Sequence, residues 1–184
     1  MVAEHRLWTV EEYHRLITLD VLHENEHVEL IRGEIVRMAW MSSRHRSVVM
    51  RTNTRLHREQ CGDMQIQIRG PIGIRGGSEL RPDIAVVKAR PDFYVNALPE
   101  PADVLLIIEV AEGSLEHDRY VKGSLYAQDR IPEYWLIDLL HDRVEVYRDP
   151  KGDLYRSKTI HGRSDMLAPL HLPGMSIRVE ELIG

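Results

Sequence analysis

Residues 105–112 read LLIIEVAE, an apolar run with a glutamate, Glu109, set inside it. A carboxylate in such a stretch must pair, shift its pKa or bind a metal, because burying it ionised and alone is costly. A second acid, Asp83, opens the short apolar stretch DIAVV. Side chains alternate along a strand, so Asp83 should share a face with Ala85 and Val87, and Glu109 with Leu105 and Ile107. Two adjacent strands would then aim both carboxylates at one point. Two carboxylates with a backbone carbonyl and waters are what hard Mg2+ prefers. Other roles stay open on the residues alone: Asp83 as a turn residue after Pro82, and Glu109 as the partner of an arginine at the edge of the core.

Other chemistries find less support. HENEH at 23–27 has the H-E-x-x-H form, but a zinc protease needs it on a helix. Asn25 is a poor helix former, an alternating strand starts at Val28, and no later segment offers an evident third ligand. The single cysteine, Cys61, excludes a disulfide framework and a four-cysteine zinc site, and suits a reducing compartment. Ser42, Ser43 and Cys61 have no base at a recognisable spacing. GPIGIRGG lacks the Lys and Ser/Thr of a phosphate loop and lies between strands. The ten histidines scatter along the chain.

The elements that would position the two acids can be read from periodicity. TVEE at 9–12 is a capping box that starts a short helix reaching about Leu19. HVELIRGEIVRMAW alternates around Arg32-Gly33 as a hairpin. Ser42 or Ser43 caps a helix over 43–61 with the apolar stripe Val48, Val49, Thr52 and Leu56, stopped by Gly62. MQIQIRG and PDIAVV are strands with the turn-rich GPIGIRGG between them. VLLIIEVA is apolar on both faces, as in a strand covered on both sides. Residues 118–129 carry a helical stripe at Tyr120 or Val121, Ser124, Leu125 and Gln128. EYWLIDL is a further strand, RVEVYRD and LYRSKTI pair across PKGD, and VEELIG ends the chain as a helical turn. The order predicts an α/β sandwich whose mixed central sheet holds IAVV, LLIIEV and YWLID as neighbours.

The 184 residues suit one domain, 1–184, and show no internal repeat or linker. MVAEHRLWTV has no apolar leader core and no run is long enough to cross a membrane, so a soluble, cytoplasmic protein is expected. The net charge of −5 argues mildly against a grip on long nucleic acid, although RHRSVVMRTNTRLHR at 44–58 is strongly basic.

Pro82-Asp83 followed 26 residues later by Glu109 resembles the PD-(D/E)xK nuclease signature. VELIRGEIVRM, RPDIAVV, IIEVAEGSLEHDRYVKGSLYAQDRIPEYWLID and LPGMSIRVEEL, in that order, are similar to one branch of it, the Uma family of restriction-endonuclease-like proteins. The resemblance implies a restriction-endonuclease-like core with an added N-terminal hairpin and C-terminal meander, acting as a homodimer on nucleic acid, DNA above all. It implies Mg2+, with Mn2+ as a substitute, held by Asp83, Glu109 and the Val110 carbonyl. The signature at large has lysine where this chain has Ala111. The Uma branch takes its lysine from the next helix, where Lys122 stands beside Gly123, a residue that could let that helix approach the sheet. Glu29 matches a further site acid of the family, although Val28 and Arg32 replace its Tyr and Asp. The residues alone leave Glu29 free to pair with Arg32 or Arg37, and Lys122 free to be a solvated helix residue whose loss costs little. Glu112 stands where the family carries a small or hydroxyl residue. The implied activity is phosphodiester hydrolysis by Asp83, Glu109, Lys122 and Glu29. The alternative is a catalytically weak or inactive dimeric nucleic-acid-binding or interaction module of the same fold.

Overall fold

The computed structural model describes residues 5–23, 26–58 and 64–184. Glu24 and Asn25 of the HENEH stretch, Cys61 and the helix-stopping Gly62 lie outside the described residues. Helix α1, Val10–Thr18, starts at Thr9, whose hydroxyl accepts the Glu12 N–H while the Glu12 carboxylate accepts the Thr9 N–H. Strands β1, Val28–Ile31, and β2, Glu34–Arg37, form the expected hairpin. Its turn uses positive φ at Arg32 and Gly33, the twist that two-residue hairpin turns require. Helix α2, Ser43–Arg58, is capped by Ser42, whose Oγ accepts the His45 N–H at 3.1 Å. Its buried stripe includes Val48, Val49 and Leu56. Each such side chain contributes about 1.5–3 kcal/mol on leaving water.

Strand β3, Met64–Ile68, follows, and then the structure departs from expectation. GPIGIRGG is not a mere connection: it holds β4, Ile72–Ile74, which turns through Gly76 and Gly77 into β5, Ser78–Leu80. Strand β5 pairs with β1, giving a four-stranded sheet in the order β2-β1-β5-β4. The glycines broke the alternation that would have marked these strands. Next come β6, Ile84–Lys88, a 3-10 turn at Pro101–Asp103, and β7, Val104–Ala111. A π-helical turn, His117–Lys122, runs into helix α3, Gly123–Gln128. Strands β8, Glu133–Asp138, β9, Arg143–Lys151, and β10, Leu154–Gly162, form the meander. Strands β11, Met166–Leu167, and β12, Ile177–Arg178, pair before the terminal helix α4, Val179–Ile183.

The central sheet has six strands in the order β10-β9-β8-β7-β6-β3. Only β7 and β8 are parallel, and the helical crossover between them makes that possible. The three apolar strands are neighbours at its centre, as the sequence order implies. One face, with Ile84, Val86, Ile108 and Trp135, packs under α2 and α4. The other, with Ala85, Val87, Ile107 and Tyr134, packs under α3 and the four-stranded sheet. This is a mixed α/β architecture with helices on both faces of the central sheet. No described helix is long and apolar enough to cross a membrane.

Two face assignments need correction. A register shift at Val86/Val87 pairs Val87 with Val104 and Val86 with Leu106, so Leu105 is left over as a bulge and packs on the α2 side, away from Ile107. On the crossover helix Tyr120 and Gln128 face solvent, Val121 is half-buried, and the buried positions are Asp118, Lys122, Gly123, Leu125, Tyr126 and Ala127. Asp118 and Lys122 are charged, so an apolar pattern does not reveal the whole buried face, and the π turn alters the phase. The Gly123 position would place a Cβ at ordinary contact, 3.5 Å from the Tyr134 ring, so the helix lies close to β8 without demanding glycine.

Candidate active site

Antiparallel pairing of β6 with β7 ends at Ile84–Ile108, which leaves Asp83 opposite Glu109. There the side chains take over from the ladder. The Asp83 N–H donates to Glu109 Oε2 at 3.2 Å, and the Val110 N–H donates to Asp83 Oδ2 at 2.9 Å. Both acids are buried. The first turn of α2, fixed by the Ser42 cap, brings His45 Nε2 to 3.0 Å from the same Asp83 oxygen.

The π turn delivers Lys122. A π turn widens the helix by one residue, and the Gly123 N–H reaches back five residues to the Asp118 carbonyl. Lys122 is 3 % exposed and its Nζ lies 3.0 Å from both Glu109 Oε1 and Glu29 Oε1, and 3.9 Å from Asp118. Tyr126, one turn on, donates its hydroxyl to Glu109 Oε1 at 2.8 Å. Glu29 comes from β1, in the other sheet. It is buried and also accepts the Arg81 N–H at 2.8 Å, so neither Arg32 nor Arg37 is its partner. Glu29, Asp83, Glu109, Val110 and Lys122 thus line one cavity of about 320 Å3, together with His45, Arg69, Arg81, Asp118 and the exposed Trp40 at its rim. Glu112 lines it too, half-buried.

Charge in this cavity is out of balance. Five acids, Glu29, Asp83, Glu109, Glu112 and Asp118, line it against Arg69, Arg81, Lys122 and His45, and of these cations Lys122 and His45 pair with its acids. The other buried acids of the central sheet are matched by arginine: Glu133 by Arg148, Asp138 by Arg143, and Glu145 by Arg119 and Arg143, with Lys158 added. The consequence shows in proton affinity. Burial raises the Glu145 carboxyl, but hydrogen bonds from Arg119, Tyr147 and Lys158 outweigh it and hold it down to about 2. Burial pushes Glu109 up to about 8 despite Lys122, helped by Asp118, Asp83 and Glu29. Burial also raises Asp118 and Tyr126. Burial alone would lower Lys122, but Glu109, Glu29 and Asp118 raise it above the ordinary lysine value, so it stays charged.

Glu29 Oε2 is buried with no hydrogen-bond partner. Among the described residues, no three His, Cys, Asp or Glu side chains are grouped to hold a metal. The chain offers two carboxylates, Asp83 and Glu109, which line the cavity beside Val110. Hard oxygen donors in excess over cations, with one carboxylate oxygen unsatisfied, fit a divalent cation such as Mg2+. His23 of HENEH sits with Asp20, and His27 packs edge-on against Trp40.

The sequence reading did not single out His45 or Tyr126. The Ser42 cap placed His45 on the first helical turn, and Tyr126 lies four residues after Lys122, but neither spacing names a partner on another element.

The family model described as "Putative restriction endonuclease", Uma2, matches residues 10–180. The chain belongs to the Uma2 family. The fold agrees: the crystal structure of a "putative nuclease belonging to DUF820" from Anabaena variabilis ATCC 29413 superposes with a TM-score of 0.68. The match covers 95% of this chain and 97% of that chain at 17% identity. No curated protein matches. The Uma2 match spans β1 with Glu29, β6, β7 and the crossover helix, so every element that lines the cavity lies within it.

Proposed function

We propose that this Uma2 protein is a Mg2+-dependent nuclease that hydrolyses phosphodiester bonds of DNA, of the PD-(D/E)xK type with its lysine displaced to the following helix. The observation that carries the reading is buried Lys122, held within 3.0 Å of Glu109 from the crossover helix, in a cavity where acids outnumber cations. Asp83, Glu109 and the Val110 carbonyl would hold Mg2+, with Mn2+ as a substitute. A cation bound there supplies a Lewis acid for the phosphate and lowers the pKa of a water. The side chains do the rest. The Val110 N–H and His45 fix the Asp83 carboxylate; the Asp83 N–H and Tyr126 fix Glu109. Glu29 holds Lys122, which sets a preorganised positive charge where negative charge develops on phosphate. The test is cleavage of plasmid and single-stranded DNA with Mg2+ or Mn2+. Wild type should cut, and Asp83→Ala and Glu109→Ala should not; a wild type that is inert with every divalent cation sinks the proposal.

A second reading rests on the same lysine. Lys122 sits between two carboxylates, filling space a cation would use, which suits an inactive nucleic-acid-binding or interaction module. In that case Mn2+ titration of wild type gives no binding heat and Glu109→Gln changes nothing in it.

A further inference from the structure

Helix α2 carries five arginines and no acid, in a chain whose net charge is −5. Its buried stripe faces the sheet and its first turn reaches Asp83 through His45. The opposite face repeats at three- and four-residue spacing and lines an open groove of about 680 Å3 beside α4. Arg46, Met50, Arg51, Arg55 and Arg58 line it, with Glu181 on the rim. Arg55 is held by Glu181 and the Ser176 carbonyl. Among the described residues Arg46, Arg51 and Arg58 form no ion pair, and all three are exposed. Arg44, at the start of the same helix, meets Asp142, and off the helix Arg90 meets Asp92 and Arg119 meets Glu145, while exposed Arg32, Arg130 and Arg156 stand without an ion pair among the described residues, as scattered single charges. Arg51 and Arg58, seven residues apart, line up on one side of the groove and Arg46 stands on its other side, so three guanidinium groups with no acid partner frame it and call for an anionic partner.

We infer that this face of α2 is a docking track for the backbone of a DNA duplex, leading to the cavity at Asp83. The choice of partner rests on the phosphodiester-directed reading above. At 1.5 Å per residue, Arg46, Arg51 and Arg58 stand about 7.5 and 10.5 Å apart along the helix axis. Three positive charges spread over about 18 Å of helix suit the repeated phosphates of a nucleic-acid backbone. The track carries no aromatic side chain, and unpaired bases are held by aromatic stacking, so a duplex backbone suits it better than a single strand. A second copy of this chain does not: a two-fold contact through this face would set arginines against arginines.

The experiment reads binding without catalysis. Fluorescence anisotropy with a labelled random-sequence duplex, in EDTA and across a salt series, compares wild type with the Arg51→Gln/Arg58→Gln pair and with Arg46→Gln/Arg51→Gln. A control pair, Arg15→Gln/Arg130→Gln, removes two exposed charges that lie off the track and off the β10 edge. Each track pair should lose about tenfold or more in affinity, and its salt slope should fall by about 1.8, at roughly 0.9 per phosphate contact. The control should bind as wild type does. Equal affinity and slope in both track pairs overturns the assignment, as does an equal loss in the control, or no duplex binding by wild type at low salt. Tighter binding to single-stranded DNA or to RNA overturns the choice of duplex DNA. Binding that depends on the track in a protein that never cuts leaves the surface standing while the nuclease reading falls. Cutting that survives in track variants with unchanged binding does the reverse.

Discussion

Glu109 and Lys122 lie 3.0 Å apart in the cavity, and the energetics of that contact can be tested directly. The folded Glu109 carboxyl stands at about 8 against an ordinary 4.5. A group whose folded pKa is raised stabilises the protein fully below its unfolded value and loses that contribution as pH rises through the folded one. The melting temperature of the metal-free chain should therefore fall between about pH 4.5 and about pH 8, Glu109→Gln should flatten the fall, and saturating Mn2+ should counter it. Scanning fluorimetry across that range checks all three. Lys122→Ala should abolish most cleavage. It should also destabilise the fold at neutral pH by about 3–5 kcal/mol, because it strands buried carboxylates; the sequence-based expectation of a cheap helix substitution fails because Lys122 is 3 % exposed. Chemical denaturation of Lys122→Ala, and of Lys122→Met with Glu109→Gln, measures this, with partial recovery expected in the double variant. Glu109 was legible as a residue needing a partner. Yet Glu133, Asp138 and Glu145 sit in equally apolar strands, and what separates them is which cation each finds across the sheet. That information lies between elements, so periodicity does not carry it.

At the scale of elements, the three central strands, both hairpins and the two long helical segments follow from apolar runs and caps. The β4–β5 pair did not, because three-residue strands flanked by glycines show no alternation. The π turn did not either, since its extra residue is stabilised by buried Asp118 and Lys122, not by an apolar stripe. The β1–β2 turn offers a clean test of element rigidity. Gly33 has φ of 81°, and a Cβ there would stand 2.7 Å from Leu7 Cβ and 3.1 Å from the Trp8 carbonyl oxygen. Gly33→Ala should cost about 1–3 kcal/mol through left-handed strain plus that close approach. A lowered urea midpoint with an unchanged slope is the expected reading. The variant should also lose cleavage, because this hairpin carries Glu29.

For the whole molecule, the long β10 strand closes one edge of the central sheet, with Leu154 and Ile160 exposed on it. An uncovered edge of nine residues is a ready pairing surface, and edge-to-edge pairing there would give the homodimer that two-strand cleavage needs. Light scattering should give twice the monomer mass at micromolar concentration, and Ile160→Lys should shift it toward monomer; a wild-type monomer contradicts this assembly. The contact between Glu29 and Lys122 joins the four-stranded sheet to the crossover helix across 93 residues of chain. During synthesis the carboxylate leaves the ribosome long before the ammonium that neutralises it, by roughly 5–19 s at about 5–20 residues per second. Throughout that delay, docking the N-terminal hairpin would bury an uncompensated charge, so the nascent chain is obliged to keep its first sheet waiting until the crossover helix has emerged.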